Sequence, residues 1–193
     1  MVPPKEQQRA ARLGRGRVSE QGNDLSALLR RIQRLEDIEA IRKLKARYLN
    51  ACDEQDPAAV RATFAPDGKC DVIVGHLGLF DTADGFCQMY TEQACHPWVL
   101  DKHQAGNGEI DLIDDTHAKG LWCLDYRKID TKDETLTLVS LQYHDDYEKI
   151  DGEWKIRRTR SDFKSGFFAT YKTGTLQALV AGHSVADAPL NKI

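Results

Sequence analysis

The sequence contains no apolar run approaching the ~18–20 residues that a membrane-spanning helix requires. Its opening, Met1–Asn23, is polar and arginine-rich and lacks the apolar core of a secretory signal, so the expected location is cytoplasmic. The five cysteines (Cys52, Cys70, Cys87, Cys95, Cys123) are odd in number and include no CxxC pair. Without a signal, that pattern points to reduced thiols rather than a disulfide framework. No GxGxxG, P-loop or GxSxG element is present, which removes the commonest nucleotide-binding and serine-hydrolase signatures. The six histidines (His76, His96, His103, His117, His144, His183) form neither HExxH nor HxxxH, so spacing offers no zinc site. Charge of either sign is not in great excess. The net charge of −3 argues against a dedicated nucleic-acid binder.

What is present fits one globular domain. The 193 residues, 41% apolar and 30% charged, are enough for a full core and too polar for a membrane protein. Residues 1–23 read as a loosely ordered tail, with Pro3, Pro4 and three glycines. Five basic residues (Lys5, Arg9, Arg12, Arg15, Arg17) against Glu6 and Glu20 make that tail basic. Helical periodicity follows Asp24, a candidate N-cap, and continues to about Glu54. Leu25, Leu28, Leu29, Ile32 and Leu35 form one stripe; Ile38, Ile41, Leu44, Tyr48, Leu49 and Cys52 form another, rotated by well over ~100°. A straight helix on one core would not carry both. The helix therefore bends near Asp37, or its first half packs on a different partner. Asp56-Pro57 restarts a short helix through Phe64, which Pro66-Asp67-Gly68 ends.

A strand at Cys70–Val74, a Gly-rich connection and a helix from the Thr82 cap to Ala94 come next. After Pro97 the pattern turns to strands, at about 102–113, 117–129, 135–150 and 153–163. Asp151-Gly152 is a strong two-residue hairpin turn. Helices first and consecutive antiparallel strands afterwards describe an α+β domain over 24–170, with a C-terminal tail at 171–193.

Three polar residues stand out. Tyr48 lies on the second apolar stripe, so its hydroxyl needs a partner inside. Asp53 follows near the end of the same helix, and His103 opens the strand region. From these residues alone, Asp53 reads as a solvated helix-end carboxylate and His103 as a loop histidine. His96 and His103 converging on a metal with a carboxylate is a further option. A nucleophilic Cys52 or Cys95 has no support, since free cysteines mostly pack as small hydrophobes.

The ordered series Arg34–Ile41, Ala46-Arg47-Tyr48, Asp53, Asp56-Pro57, Phe64–Gly68, His103–Asn107 and Tyr147–Ile156 resembles a SnoaL-like domain over about residues 30–165. This is the branch of the nuclear transport factor 2-like superfamily that includes scytalone dehydratase and bile-acid 7α-dehydratase. The resemblance implies a cone-shaped α+β barrel, its N-terminal helices packed in a strongly curved antiparallel sheet around an apolar pocket. It assigns an Asp53–His103 acid/base dyad, with Tyr48 as hydrogen-bond donor. A further acid on the second long strand corresponds to Asp125, with Tyr126 open as the alternative register. Lindane dehydrochlorinase, similar in its dyad, has a lysine where this chain has Tyr48, which argues against haloalkane elimination.

The implied activity is a cofactor-independent dehydratase-type lyase acting on a hydrophobic ring-bearing alcohol, steroid-like or aromatic. Phe64, Phe86, Trp98, Asn107, Trp122 and Tyr143 are candidates for the pocket wall, each equally compatible with core packing. Neither metal nor nucleotide is expected. The same dyad would serve a retro-aldol lyase or an isomerase. Rivals are a non-catalytic binding or assembly module and a polyketide-type cyclase, the latter needing a larger, more polar pocket. The resemblance also implies a homo-oligomer, trimer before dimer, for which the stripe Leu25–Leu35 would supply an interface; burying each leucine is worth about 1.5–3 kcal/mol.

Overall fold

In the computed structural model of the chain, residues 4–74 and 78–172 are described, with side chains from residue 24 onward except Val74. Residues Met1–Ala40 and Ile41–Ile193 form two compact units. Helix α1 (Pro4–Asp53) belongs to both and runs without interruption through Asp37. It opens at Pro4, so Asp24, expected as its cap, is an internal residue. The charge of the basic N-terminal tail rests on side chains outside the described residues, as does the C-terminal tail from residue 173.

In the first unit the Leu25–Leu35 stripe is solvent-exposed, from 42% at Ile32 to 67% at Leu35. In the second unit the other stripe behaves as its periodicity demands. Ile41, Leu44, Tyr48, Leu49 and Cys52 are all buried.

Helix α2 (Pro57–Ala62) starts where the sequence places it. The Asp56 carboxylate accepts from the Ala59 N–H, and Pro57 occupies the first turn, where a missing N–H leaves nothing unsatisfied. Strands β1 (Lys69–Val74) and β2 (Gly78–Thr82) precede helix α3 (Ala83–Ala94), capped by Thr82 on the Gly85 N–H. Part of the expected Gly-rich connection is therefore strand. The long strands are β3 (Val99–Leu112), β4 (His117–Asp130), β5 (Thr135–Ile150) and β6 (Glu153–Thr170). β3 begins earlier and β6 ends later than the alternation suggested.

The six strands form one sheet in the order β2-β1-β6-β5-β4-β3. All neighbours are antiparallel except β1 and β6, which run parallel, a departure from the all-antiparallel expectation. The α+β class is as expected, and β2 and β3 remain as free edges. A bulge in β3 between Gly106 and Glu109, and two in β6 at Arg157 and Lys164, where the pairing with β5 skips a residue, add the local twist that curves a sheet. At the β5–β6 hairpin, Asp151 and Gly152 both take positive φ (51° and 83°), as a two-residue type I′ turn requires.

Burial along β4 alternates cleanly. Ala118, Gly120, Trp122 and Leu124 face the core, while Lys119, Cys123, Asp125 and Arg127 face out. All five cysteines are free thiols. Among the described residues no helix is long and apolar enough to cross a membrane.

Candidate active site

The end of α1 lies against the edge strand β3. In an antiparallel edge strand alternate N–H groups point away from the sheet and need partners. Asp53 supplies one: its Oδ1 accepts from the His103 backbone N–H at 2.8 Å. The same oxygen lies 2.8 Å from His103 Nδ1, and Lys102 Nζ reaches Oδ2 at 2.6 Å. Gln55, just past the helix, donates to the carbonyls of His96 and Val99 and so ties the start of β3 to the same corner.

Burial pushes the Asp53 carboxyl up, but the His103 ring, Lys102 and the His103 N–H more than offset it. The carboxyl is held below its ordinary value. Asp53 is therefore an acceptor, and the ring nitrogen facing it must carry the hydrogen. That fixes the tautomer and leaves Nε2 as the basic nitrogen. The His103 side chain is 14% exposed and lines a cavity of about 250 Å³.

Tyr48, Cys52, Phe86, Tyr90, Leu124, Leu141 and Tyr143 supply most of the apolar wall. Burial drives the Tyr48 and Tyr143 hydroxyls well above their ordinary pKa. They are neutral donors at any working pH. Burial likewise raises the Cys52 thiol, which leaves it no nucleophilic character.

Several expected wall residues are elsewhere. Phe64 is buried but sits edge-on against Tyr48 and Phe86, outside the cavity lining. Trp122 is buried under Gly108, where an added Cβ would come within 2.3 Å of its ring, and its Nε1 donates to Tyr147. Trp98 stacks on His96 at 4.4 Å, with Lys132 4.9 Å from its ring centre. Asn107 is exposed at the β3 bulge, with φ of 49°. Asp125 points outward because strand alternation gives the inward position to its neighbour. Tyr126 takes that place, pairing across the sheet with His103, ring centres 4.7 Å apart. His96 Nε2 lies 2.8 Å from the Glu92 carbonyl, away from His103's partners, and no His/Cys/Asp/Glu cluster of three occurs among the described residues.

Two acidic groups were not anticipated. Asp101 lies two residues before His103 on the same face of β3 and lines the cavity. Strand alternation from His103 would have found it. Beneath the wall, Lys45 and Asp145 form a wholly buried ion pair at 2.8 Å, with Lys45 3.6 Å from the Tyr143 ring centre. The signal for Lys45 was its position within the buried stripe, one turn before Tyr48.

The sequence matches the SnoaL-like domain over residues 33–160. Solved structures share the fold at low identity. A candidate scytalone dehydratase from Novosphingobium aromaticivorans is 20% identical, with a TM-score of 0.63 over 81% of this chain and 97% of its own. A type 2 hexachlorocyclohexane dehydrochlorinase is 14% identical, with a TM-score of 0.64 over 80% of this chain and 98% of its own. An NTF-2 like protein of unknown function from Shewanella oneidensis is 17% identical, with a TM-score of 0.54 over 65% of this chain and 98% of its own.

Proposed function

Starting from the fact that this chain belongs to the SnoaL-like domain family, we propose that it is a cofactor-independent lyase of the dehydratase type. The observation that carries the reading is the 2.8 Å contact between Asp53 Oδ1 and His103 Nδ1, with the ring lining an apolar cavity. His103 Nε2 takes a proton from a carbon next to a carbonyl or ring. Asp53, kept ionised, stabilises the imidazolium that forms. Tyr48 donates to the oxygen on which charge develops. No nucleophile is needed, since elimination asks only for a base, an acid and a site shielded from water. Both a dehydratase and a dehydrochlorinase, each an elimination by name, are among the proteins of similar fold.

The volume narrows the substrate. About 250 Å³ lies just under the ~300–1,000 Å³ usual for ligand pockets, and favours a one- or two-ring alcohol over a steroid. It also disfavours a polyketide-type cyclase. The dyad's direct bond counts against a purely binding or assembly role.

Retro-aldol cleavage and double-bond isomerisation use the same first proton transfer, and product mass separates them from dehydration. The test is a panel of cyclic β-hydroxy ketones followed by absorbance and mass spectrometry. Loss of water with wild type and none with His103→Ala is the expected result. Undiminished turnover by His103→Ala would refute the dyad.

A further inference from the structure

We propose that Asp101, positioned by Tyr126, is a second catalytic residue of this cavity, the acid that protonates the departing oxygen while His103 takes the proton from carbon. The assignment rests on the lyase reading above and adds the acid that Tyr48 alone does not supply. A tyrosine hydroxyl held this far above its ordinary pKa donates a hydrogen bond but does not release its proton.

The geometry comes from β3 and β4. Residues 101 and 103 are two apart on one strand, so their side chains leave the same face about 6–7 Å apart. Both line the cavity. Tyr126, opposite His103 on β4, donates its hydroxyl to Asp101 Oδ1 at 2.9 Å while its ring lies against the imidazole. Tyr126 thus fixes the carboxyl beside the base. Among the described residues nothing else hydrogen-bonds to Asp101, so Oδ2 is available to a ligand in the cavity.

The two carboxyls of the site have opposite surroundings. Asp53 receives three N–H donors, one from the Lys102 ammonium. Asp101 receives one neutral hydroxyl and is half-buried in an apolar wall. Burial therefore dominates and holds the Asp101 carboxyl above its ordinary value, Tyr126 only partly countering it. Environments that push two carboxyls apart separate acid from base roles in one pocket.

The step balances as follows. Nε2 of His103 accepts the proton of the C–H bond, whose electron pair becomes the new C=C bond. The C–O bond breaks with its electrons on oxygen, which takes the Asp101 proton and leaves as water. The imidazolium then returns a proton to the Asp101 carboxylate, through that water, and the site is reset. Because acid and base stand on one strand face, hydrogen and oxygen leave from the same side of the substrate.

The test combines titration with turnover. In carboxyl-¹³C aspartate-labelled protein, Asp101 should titrate above the ordinary aspartate value of about 3.9 and Asp53 below it. Tyr126→Phe should move the Asp101 midpoint further up. For the panel alcohol that wild type dehydrates, Asp101→Asn should lower kcat on the order of 10²–10³-fold with KM little changed. The pH profile of the residual rate should lose the limb that Asp101 imposes. Stereospecific deuteration next to the alcohol should reveal syn loss. An Asp101 midpoint at or below the ordinary value, anti loss, or kcat in Asp101→Asn within about threefold of wild type while His103→Ala is inactive would each overturn the assignment and leave the lyase reading standing. No dehydration of any alcohol would overturn the lyase reading, and the acid role with it, even where the titration behaves as stated.

Discussion

The second unit holds two pairs of a carboxylate with a basic side chain, and they are built for different purposes. Asp53–His103 borders a cavity, and the carboxylate's partner is an imidazole, the side chain used most often as a general acid and base. Lys45–Asp145 is sealed, with side chains 1% and 0% exposed. Both Asp145 oxygens are also occupied, Oδ1 by the Thr159 hydroxyl at 2.6 Å and Oδ2 by the Tyr147 hydroxyl at 2.7 Å. Nothing can approach that pair, so its charges serve to fix the packing of α1 against β5 and β6. The difference teaches that a buried ion pair gains chemistry only when one partner faces a space that a substrate can enter.

The strongest way to separate the two pairs is to remove the basic side chain from each. His103→Ala should lower kcat on the order of 10²–10⁴-fold while urea unfolding shows little change, because Asp53 keeps Lys102 and the backbone N–H of residue 103. Lys45→Met should do its damage in the fold, losing about 3–5 kcal/mol in urea unfolding, since Asp145 would be left without its partner in a dry interior. Adding Asp145→Asn should recover part of that loss. A Lys45→Met protein as stable as wild type would show that the pair is not structural.

Tyr48→Phe probes the wall between them. Its expected loss is about tenfold in kcat with KM unchanged, the worth of one hydrogen bond made mainly in the transition state. A change confined to KM would place the hydroxyl in ground-state binding instead.

The smallest effect is on stability against pH. Asp53 is held below its ordinary value, so its contribution is complete above the unfolded-state value near 4 and lost as pH falls through the folded one. Asp101 is held above, so its contribution is present below that same value and lost as pH rises through the folded one. The two oppose. Below about pH 4, Asp53→Asn should lose less stability than wild type on acidification; as pH falls toward about 4 from above, Asp101→Asn should miss the gain that wild type makes. Equal acid sensitivity in both variants would show that these carboxyls do not differ as described.

Local chemistry was legible where it is decided by neighbours in sequence. The Asp56-Pro57 start, the Thr82 cap and the Asp151-Gly152 turn each depend on a few adjacent residues, and each is where the pattern put it. Boundaries were less so. The start of α1 at Pro4 and the strand at Gly78–Thr82 have weak local preference, and the latter exists because β1 offers it hydrogen bonds. Strand facing was the main obstacle at the site. One residue of register separates Asp125 from Tyr126, and only the pairing of β3 with β4 decides which turns inward.

By itself, the sequence determined the buried stripe of α1, the α+β order of elements and, through family resemblance, the pairing of Asp53 with His103. Those follow from periodicity and from an ordered series of motifs that the chain displays along its length. Only the tertiary structure decided that Tyr126 joins the cavity, that Trp98, Trp122, Asn107 and Asp125 do not, and that Lys45 meets Asp145. Residues a hundred positions apart, such as Lys45 and Asp145, are brought within 2.8 Å by packing a helix onto a curved sheet. Curvature and register are properties of the assembled sheet, which no single segment encodes.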